Sequence, residues 1–270
     1  MTDEPRTALE LTDVTKIFRD FWLRPRVSAV NGLSLNVPSG EVFALLGPNG
    51  SGKSTTLKMV LGLLYPTSGR INVLGGTPGD KAVKAAIGYM PEETCLYRQL
   101  NARETLDFFA RLFDIDPARR TERVDQLIEM AGLQQTAHIK VGEYSKGMAR
   151  KLGLAQALIN DPDLLILDEP TSGLDPLACR QVKDLVLTLA KRGKTIILAS
   201  HVLADVQDVC DRVAILCNGQ VQIQGRIAEI LGGSASLEER FLDIIATAQS
   251  KDDGRAKSGG GIPEYLSRPA

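Results

Sequence analysis

Residues 47–54 read GPNGSGKS and have the types and spacing needed to hold a triphosphate. The glycines let the backbone turn its amides inward, and a helix start adds unpaired N–H groups. Lys53 offers a positive charge to the β- and γ-phosphates, while the Ser54 hydroxyl is a ligand for Mg²⁺. The residues of this predicted phosphate loop are Gly47, Pro48, Asn49, Gly50, Ser51, Gly52, Lys53 and Ser54.

Two acids follow an apolar stretch, LLILDEP, at 164–170. Such a run predicts a buried strand, and a buried strand would deliver Asp168 to the sheet edge where the phosphate loop lies. Asp168 is suited to hold Mg²⁺, directly or through water. Glu169 is suited to act as the general base toward the attacking water, or to orient it.

His201 comes directly after a second apolar stretch, KTIILAS, at 194–200. A histidine at a strand end is usually structural. Following a phosphate loop and a carboxylate pair, however, it is expected to contact the γ-phosphate and the attacking water. His138 lies in a connecting segment and has no such context.

The elements that must position these residues alternate between strands and helices. Residues 8–45 are typical of strands, and Asn218-Gly219 between apolar runs predicts a hairpin. Residues 100–160 change to helical periodicity, with Asn101 and Glu104 at capping-box spacing. The pattern predicts an α/β core interrupted by a helical insertion. After about 234, one helix over SLEERFLDIIATA is followed by a polar, glycine-rich stretch expected to be disordered.

Bulk composition excludes several classes of protein. The 32 basic and 33 acidic residues nearly cancel, which gives no argument for nucleic acid binding. No apolar run reaches the length needed to cross a bilayer, and the N-terminus has no leader pattern. The four cysteines are widely spaced and are expected to be reduced and structural. A membrane role would therefore come through a partner.

The order GPNGSGKS, GYMPEE, YSKGM, LLILDEP, SGLD, ASH resembles the nucleotide-binding subunits of ABC transporters. The resemblance covers residues 8 to about 231. It implies an α/β fold: a P-loop NTPase with a RecA-like core, an antiparallel β subdomain and an inserted α-helical subdomain at about 92–160. Residues 232–270 would form a short C-terminal extension.

The resemblance also implies that two copies dimerise head to tail with ATP between them. In one chain Gly47 to Thr55 would hold the phosphates. This loop would face the other chain's signature segment, here Ser145, Lys146, Gly147 and Met148. Asp175 would communicate across the dimer, and Phe18 would stack on adenine unless it is simply a core residue. Glu169 and His201 would be the catalytic residues, and Ser54, Glu92 and Asp168 the metal-side residues.

Two positions depart from the family pattern. Glu92 stands where glutamine is usual, and it adds a negative charge beside the phosphates; YSKGM replaces the usual LSGGQ. Both variants are similar to those of exporters whose permease is a separate polypeptide, including drug, polysaccharide and antibiotic exporters. Ser145 is expected to cap the following helix and Gly147 to keep the turn open. Whether Lys146 meets phosphate or solvent is left open.

The resemblance therefore favours an ATP-hydrolysing exporter subunit on the cytoplasmic face of the cell membrane. Its cofactors would be ATP and Mg²⁺, and its partners a second copy and a separate permease. The alternative is a soluble ABC-type ATPase acting on DNA or ribosomes, but such proteins carry two ATPase domains or long coiled coils. The stretch FWLRPR at 21–26 contacts the nucleotide region or a partner, or is a plain surface hairpin.

Overall fold

A computed structural model describes residues 6–22, 24–232 and 236–259. Two sheets form its framework: a three-stranded antiparallel sheet in the order β2-β1-β4, and a six-stranded sheet in the order β5-β6-β7-β3-β8-β9. The strands are β1 Thr7–Arg19, β2 Pro25–Pro38, β3 Val42–Leu46, β4 Ser68–Val73, β5 Ile87–Met90, β6 Leu164–Asp168, β7 Thr195–Ser200, β8 Arg212–Cys217 and β9 Gln220–Arg226.

The helices cover both faces of the larger sheet and fill the insertion. They are α1 Lys53–Val60, α2 Lys81–Ala85, α3 Ala102–Leu112, α4 Pro117–Met130, α5 Lys146–Ala157, α6 Pro176–Lys191, α7 Leu203–Val209, α8 Ile227–Leu231 and α9 Leu237–Gly259. None of these helices has the length and apolar character that a bilayer crossing requires, so far as the described residues go.

The central strands of the six-stranded sheet, β3, β6, β7 and β8, are buried on both faces. Along β3, Val42, Ala44 and Leu46 pack into one hydrophobic cluster, while Phe43 and Leu45 pack into another. The first cluster is shared with α3 to α6, and the second with α1 and the antiparallel sheet. Continuous apolar runs such as LLILD follow from this double burial, because neither face of a parallel strand meets water.

Several local predictions are confirmed. Strand β6 spans 164–168 as expected, and β8 pairs antiparallel with β9 around Asn218-Gly219. Asn101 and Glu104 form a capping box at the start of α3, in which each side chain accepts from the other's backbone N–H. The insertion consists of α3, α4, two short 3-10 turns and α5.

The C-terminal helix differs from its prediction in length. It begins at Leu237, as expected, but its backbone continues to Gly259, beyond the predicted end at Ala248. The polar stretch that favoured disorder also contains lysine, arginine, glutamine and alanine, which are good helix formers, so polarity alone did not mark the helix end. The last part of the predicted disorder, 260–270, lies outside the described residues.

Candidate nucleotide-binding site

Three neighbouring parallel strands bring the predicted site together. Leu46, at the end of β3, pairs with Ser200 at the end of β7. Asp168, at the end of β6, pairs with Ala199. The loops after these strands therefore leave the same edge of the sheet, which is where open α/β sheets bind ligands.

A cleft of about 370 Å³ opens at this edge. Residues predicted from four separate motifs line it together with the start of β2. The lining residues are Val27, Ser28, Ala29, Asn49, Gly50, Ser51, Gly52, Lys53, Ser54, Thr55, Glu92, Glu169 and His201. The sequence did not single out the three residues of β2, because an ordinary strand pattern gives no sign of what it lies against.

The phosphate loop has the backbone that a triphosphate requires. Gly52 is the N-cap of α1 with a φ of 102°, and a Cβ there would lie 2.6 Å from the carbonyl oxygen of Ala29. Only glycine fits this position. Within the described residues no side chain caps α1, so its first amides remain available to an anion.

Lys53 lies folded against its own loop. Its Nζ donates to the carbonyl oxygens of Gly47 at 2.6 Å and Pro48 at 3.2 Å. Burial lowers its pKa, and the carboxylates of Glu169, Asp168 and Glu92 oppose that shift. Phosphate oxygens can accept these hydrogen bonds in place of the two carbonyl oxygens, so the ammonium group would keep its partners. Lys53 can therefore turn from its own loop to a bound nucleotide.

Asp168 has the burial and the charge environment that suit a side chain for binding a cation. Oδ1 is buried and has no hydrogen-bond partner within the described part of the chain. Desolvation, then the nearby charges of Glu169 and Glu92, raises the pKa of this carboxyl to about 6. A divalent cation would compensate both features, and Ser54 offers a hydroxyl from the same cleft.

The donor set suits Mg²⁺ held jointly by protein and nucleotide. Across the described ranges, no group of three or more His, Cys, Asp and Glu side chains is placed to hold a metal ion without other ligands. Mg²⁺ commonly takes one or two protein ligands and completes its shell with phosphate oxygens and water. The residues present fit that mode.

Glu169 and His201 form a pair at the cleft. Nδ1 of His201 lies 2.9 Å from Oε2 of Glu169, and the glutamate is buried while the histidine ring is half-exposed. Glu169 has a φ of 50°, a left-handed conformation that is unfavourable for a residue with a Cβ. Its backbone N–H is held by the carbonyl oxygen of Ala199 at 2.9 Å. A strained backbone that fixes a carboxylate beside a histidine is typical of a catalytic position.

The signature segment is formed as expected but is not part of this cleft. Ser145 caps α5, its Oγ accepting from the N–H of Met148 at 3.2 Å, which confirms the capping prediction. A Cβ on Gly147 would lie 2.8 Å from Cβ of Ala178, so this glycine also permits close packing on α6. None of 145–148 lines the cleft of its own chain.

Lys146 lies against a loop of its own chain. Its Nζ sits over the Cα of Gly173, in the position that a side chain on that glycine would occupy. Asp175, two residues further along, caps α6 by accepting from the N–H of Ala178 at 2.9 Å. The sequence left open whether Lys146 meets phosphate or solvent. The structure shows a third arrangement, in which its amine contacts Gly173 of the same chain.

Phe18 lies beside the cleft. It pairs across the hairpin with Val27, which lines the cleft, and its side chain is partly exposed with Nζ of Lys16 5.4 Å from the ring centroid. A partly open ring at this place can stack on a base.

Phe21 and Trp22, at the tip of the β1–β2 hairpin, are 92% and 73% exposed.

Residues 30–172 match the model of a protein family described as ABC transporter. This chain belongs to the ABC transporter family. The match spans the phosphate loop, the signature segment and the carboxylate pair, and it makes the chain an ATP-binding domain of a family of ATPases. The expected P-loop NTPase fold is confirmed.

Two relatives illustrate the similarity of this ABC protein to known sequences. An uncharacterized ABC transporter ATP-binding protein of Synechocystis is 45% identical over 233 residues, which are 85% of this chain and 66% of the relative. Nod factor export ATP-binding protein I of Rhizobium is 40% identical over 243 residues, 85% of this chain and 78% of the relative. The chain thus spans about two thirds of the length of the first of these relatives.

Solved structures agree in fold. An ATP-binding subunit of an ABC transporter is 31% identical with a TM-score of 0.77, covering 88% of this chain and 99% of the other. A dimeric ATP-binding cassette in a post-hydrolysis state, bound to ADP and Pi, is 26% identical with a TM-score of 0.73, covering 81% and 98%.

Proposed function

We propose that this chain is the ATP-hydrolysing subunit of an exporter, with ATP enclosed between two copies arranged head to tail. The observation that carries the proposal is that two groups of predicted nucleotide-binding residues lie apart in one chain. The phosphate loop, Glu92, Glu169 and His201 share a cleft, whereas Ser145 and Lys146 are exposed at the start of α5, outside that cleft. An exposed anion-binding helix start is then free to meet the nucleotide of a second chain.

Within this proposal each site residue has a defined role. Residues 47–55 hold the phosphates, Phe18 stacks on adenine, and Ser54, Asp168 and Glu92 face Mg²⁺. When bound, Mg²⁺ neutralises charge on the phosphates. Glu169 accepts a proton from the attacking water, and His201 orients that glutamate and reaches toward the γ-phosphate.

The second chain would supply the other half of the site. Ser145, Gly147 and Met148 present the start of α5 to the γ-phosphate, and Asp175 lies two residues after Gly173, which Lys146 contacts. A dimeric cassette with ADP and Pi among similar structures supports a dimer for this chain. We propose a homodimer.

Export is supported by similarity to Nod factor export ATP-binding protein I. Both export and a separate permease are supported by the likeness of GYMPEE and YSKGM to the corresponding segments of exporters whose permease is a separate polypeptide. In this proposal residues 8–231 form the ATPase domain, with its helical subdomain at about 92–160, and 232–270 form a C-terminal extension. The subunit is peripheral on the cytoplasmic face and binds Mg²⁺ with ATP, but no nucleic acid.

Co-purification tests the proposal. The full chain is expressed with the product of a neighbouring reading frame that encodes several membrane spans, and the detergent-solubilised membrane protein is captured. We expect this chain to be retained and its ATPase activity to change in the complex. Recovery of the chain with ribosomes or DNA, and with no membrane protein, would instead favour the soluble ATPase class.

A further inference from the structure

Arg150 is a buried cation in the second turn of α5, and it reaches the acidic side of the nucleotide cleft. Its side chain belongs to a residue only 4% exposed. Nη1 donates a hydrogen bond of 3.0 Å to the carbonyl oxygen of Pro91. Pro91 directly precedes Glu92, which lines the cleft. A side chain of α5 thus holds the backbone next to a residue of the nucleotide site.

A second contact on the same helix reinforces this attachment. At Gly153, a Cβ would lie 2.7 Å from Cγ2 of Thr94 and 3.5 Å from Cγ of Met90. These two residues flank Glu92 on either side. Helix α5 therefore packs closely on the segment before and after Glu92, and a displacement of residues 90–94 must displace α5 with it.

Charge also joins Arg150 to the site. Burial lowers its pKa, and the carboxylates of Glu92, then Asp168 and Glu169, act in the opposite direction. A buried guanidinium is costly unless it is hydrogen-bonded and near negative charge. Both conditions are met on the side that faces Pro91 and Glu92.

We propose that Arg150 is a positioning residue that holds Glu92 at the nucleotide cleft and links it to the start of α5. A movement of Glu92 on nucleotide binding then passes through Arg150 to Ser145 and the segment presented to the second chain. The inference rests on the proposed function, because it assigns a role within that same site.

Turnover of four variants tests whether Arg150 acts through Glu92. Arg150→Gln is expected to lower kcat about tenfold, while KM for ATP changes less than about twofold. A tenfold change lies within the range of interaction energies measured between residues that share one hydrogen-bond network. Arg150→Lys keeps a donor for the Pro91 carbonyl and should recover most of kcat. In a Glu92→Ala background the carboxylate that Arg150 positions is already gone, so adding Arg150→Gln should not lower kcat further.

A matched control removes the same charge from the same helix. Lys151, the next residue of α5, donates a hydrogen bond of 3.2 Å to Oε1 of Gln181 on α6. Lys151→Gln should leave kcat and KM unchanged. If it lowers kcat as much as Arg150→Gln does, the net charge of α5 is responsible and the proposal is overturned.

Amide hydrogen exchange of the nucleotide-free chain supplies a readout independent of activity. Arg150→Gln should speed exchange in a peptide covering 92–97 and leave exchange in β6 unchanged. Faster exchange in β6 as well, or a tenfold further loss of kcat in the Glu92→Ala background, would show that Arg150 supports the fold instead. A wild-type chain that does not hydrolyse ATP would refute the proposed function, whereas the exchange result would still decide this inference.

Discussion

Replacing Asp168 with Asn removes a negative charge that the nucleotide-free chain buries at a cost. Oδ1 has no hydrogen-bond partner within the described residues, and the carboxyl pKa rises from 3.8 to about 6, chiefly through desolvation. At about 1.4 kcal/mol per pKa unit, the rise corresponds to at most about 3 kcal/mol. Water in the open cleft screens part of this, so we expect Asp168→Asn to stabilise the chain by about 1–3 kcal/mol at neutral pH.

The sign of the pH dependence follows from the direction of that shift. A carboxyl whose pKa is raised by folding stabilises the folded state most at low pH. That contribution is lost as the pH rises from about 4 through 6. The stability difference between Asp168→Asn and wild type should therefore be largest near pH 7.5 and shrink toward pH 5.

Urea unfolding in EDTA at both pH values measures this difference. Asp161→Asn is a matched control with the opposite sign, because the hydrogen bond from Lys194 lowers the pKa of Asp161. Because the Asp161 side chain is mostly exposed, this substitution should lower the free energy of unfolding only slightly. A variant at Asp168 that is no more stable than wild type at pH 7.5, or a difference that does not vary with pH, would refute the reasoning.

Three further substitutions test other parts of the site. Lys53→Ala should weaken ATP binding by about tenfold or more, since the lysine carries the mobile charge for the phosphates, and undiminished binding in an equilibrium titration would contradict the phosphate-loop assignment. Gly147→Ala places a methyl group 2.8 Å from Cβ of Ala178 and should cost about 1–3 kcal/mol in urea unfolding; Gly79→Ala, with open space around it, should be neutral. Lys146→Gly should change ATP affinity of the isolated chain by less than about twofold, because the amine lies against a loop of its own chain; a tenfold loss would place it on the phosphates.

The sequence was sufficient for the parts of the site that lie next to one another along the chain. GPNGSGKS sits between a buried strand and a helix, and LLILDEP joins Asp168 and Glu169 to one strand end. In both cases the chemistry and the element that positions it are within a few residues. Parallel pairing then brought these strand ends together, as the hydrophobic runs implied.

Contacts between distant segments could not be predicted in this way. Arg150 reaches a carbonyl 59 residues earlier in the chain, and an arginine on a helix gives no sign in the sequence that it will be buried. Lys146 was expected to meet phosphate or solvent, but its partner Gly173 depends on how α5 packs beside the loop before α6. Both contacts are decided by tertiary packing, which periodicity does not encode.

The left-handed backbone of Glu169 was equally hidden, since nothing in LLILDEP distinguishes a strained residue from an ordinary strand end. Its strain becomes visible only with the neighbouring strand, whose Ala199 carbonyl fixes the backbone, and with His201 on the other side. The chemical role of the carboxylate was predictable, whereas its geometry was not.

Whether two chains complete each other's ATP site is measured most directly by the size of the Glu169→Gln protein. This variant should bind ATP without hydrolysing it, so the enclosed complex would persist in size-exclusion chromatography with light scattering. We predict a monomer without nucleotide and a dimer with Mg²⁺ and ATP. Adding Ser145→Arg should keep the chain monomeric although ATP still binds. A Glu169→Gln chain that stays monomeric with bound ATP, or a double variant that still dimerises, would contradict the head-to-tail arrangement.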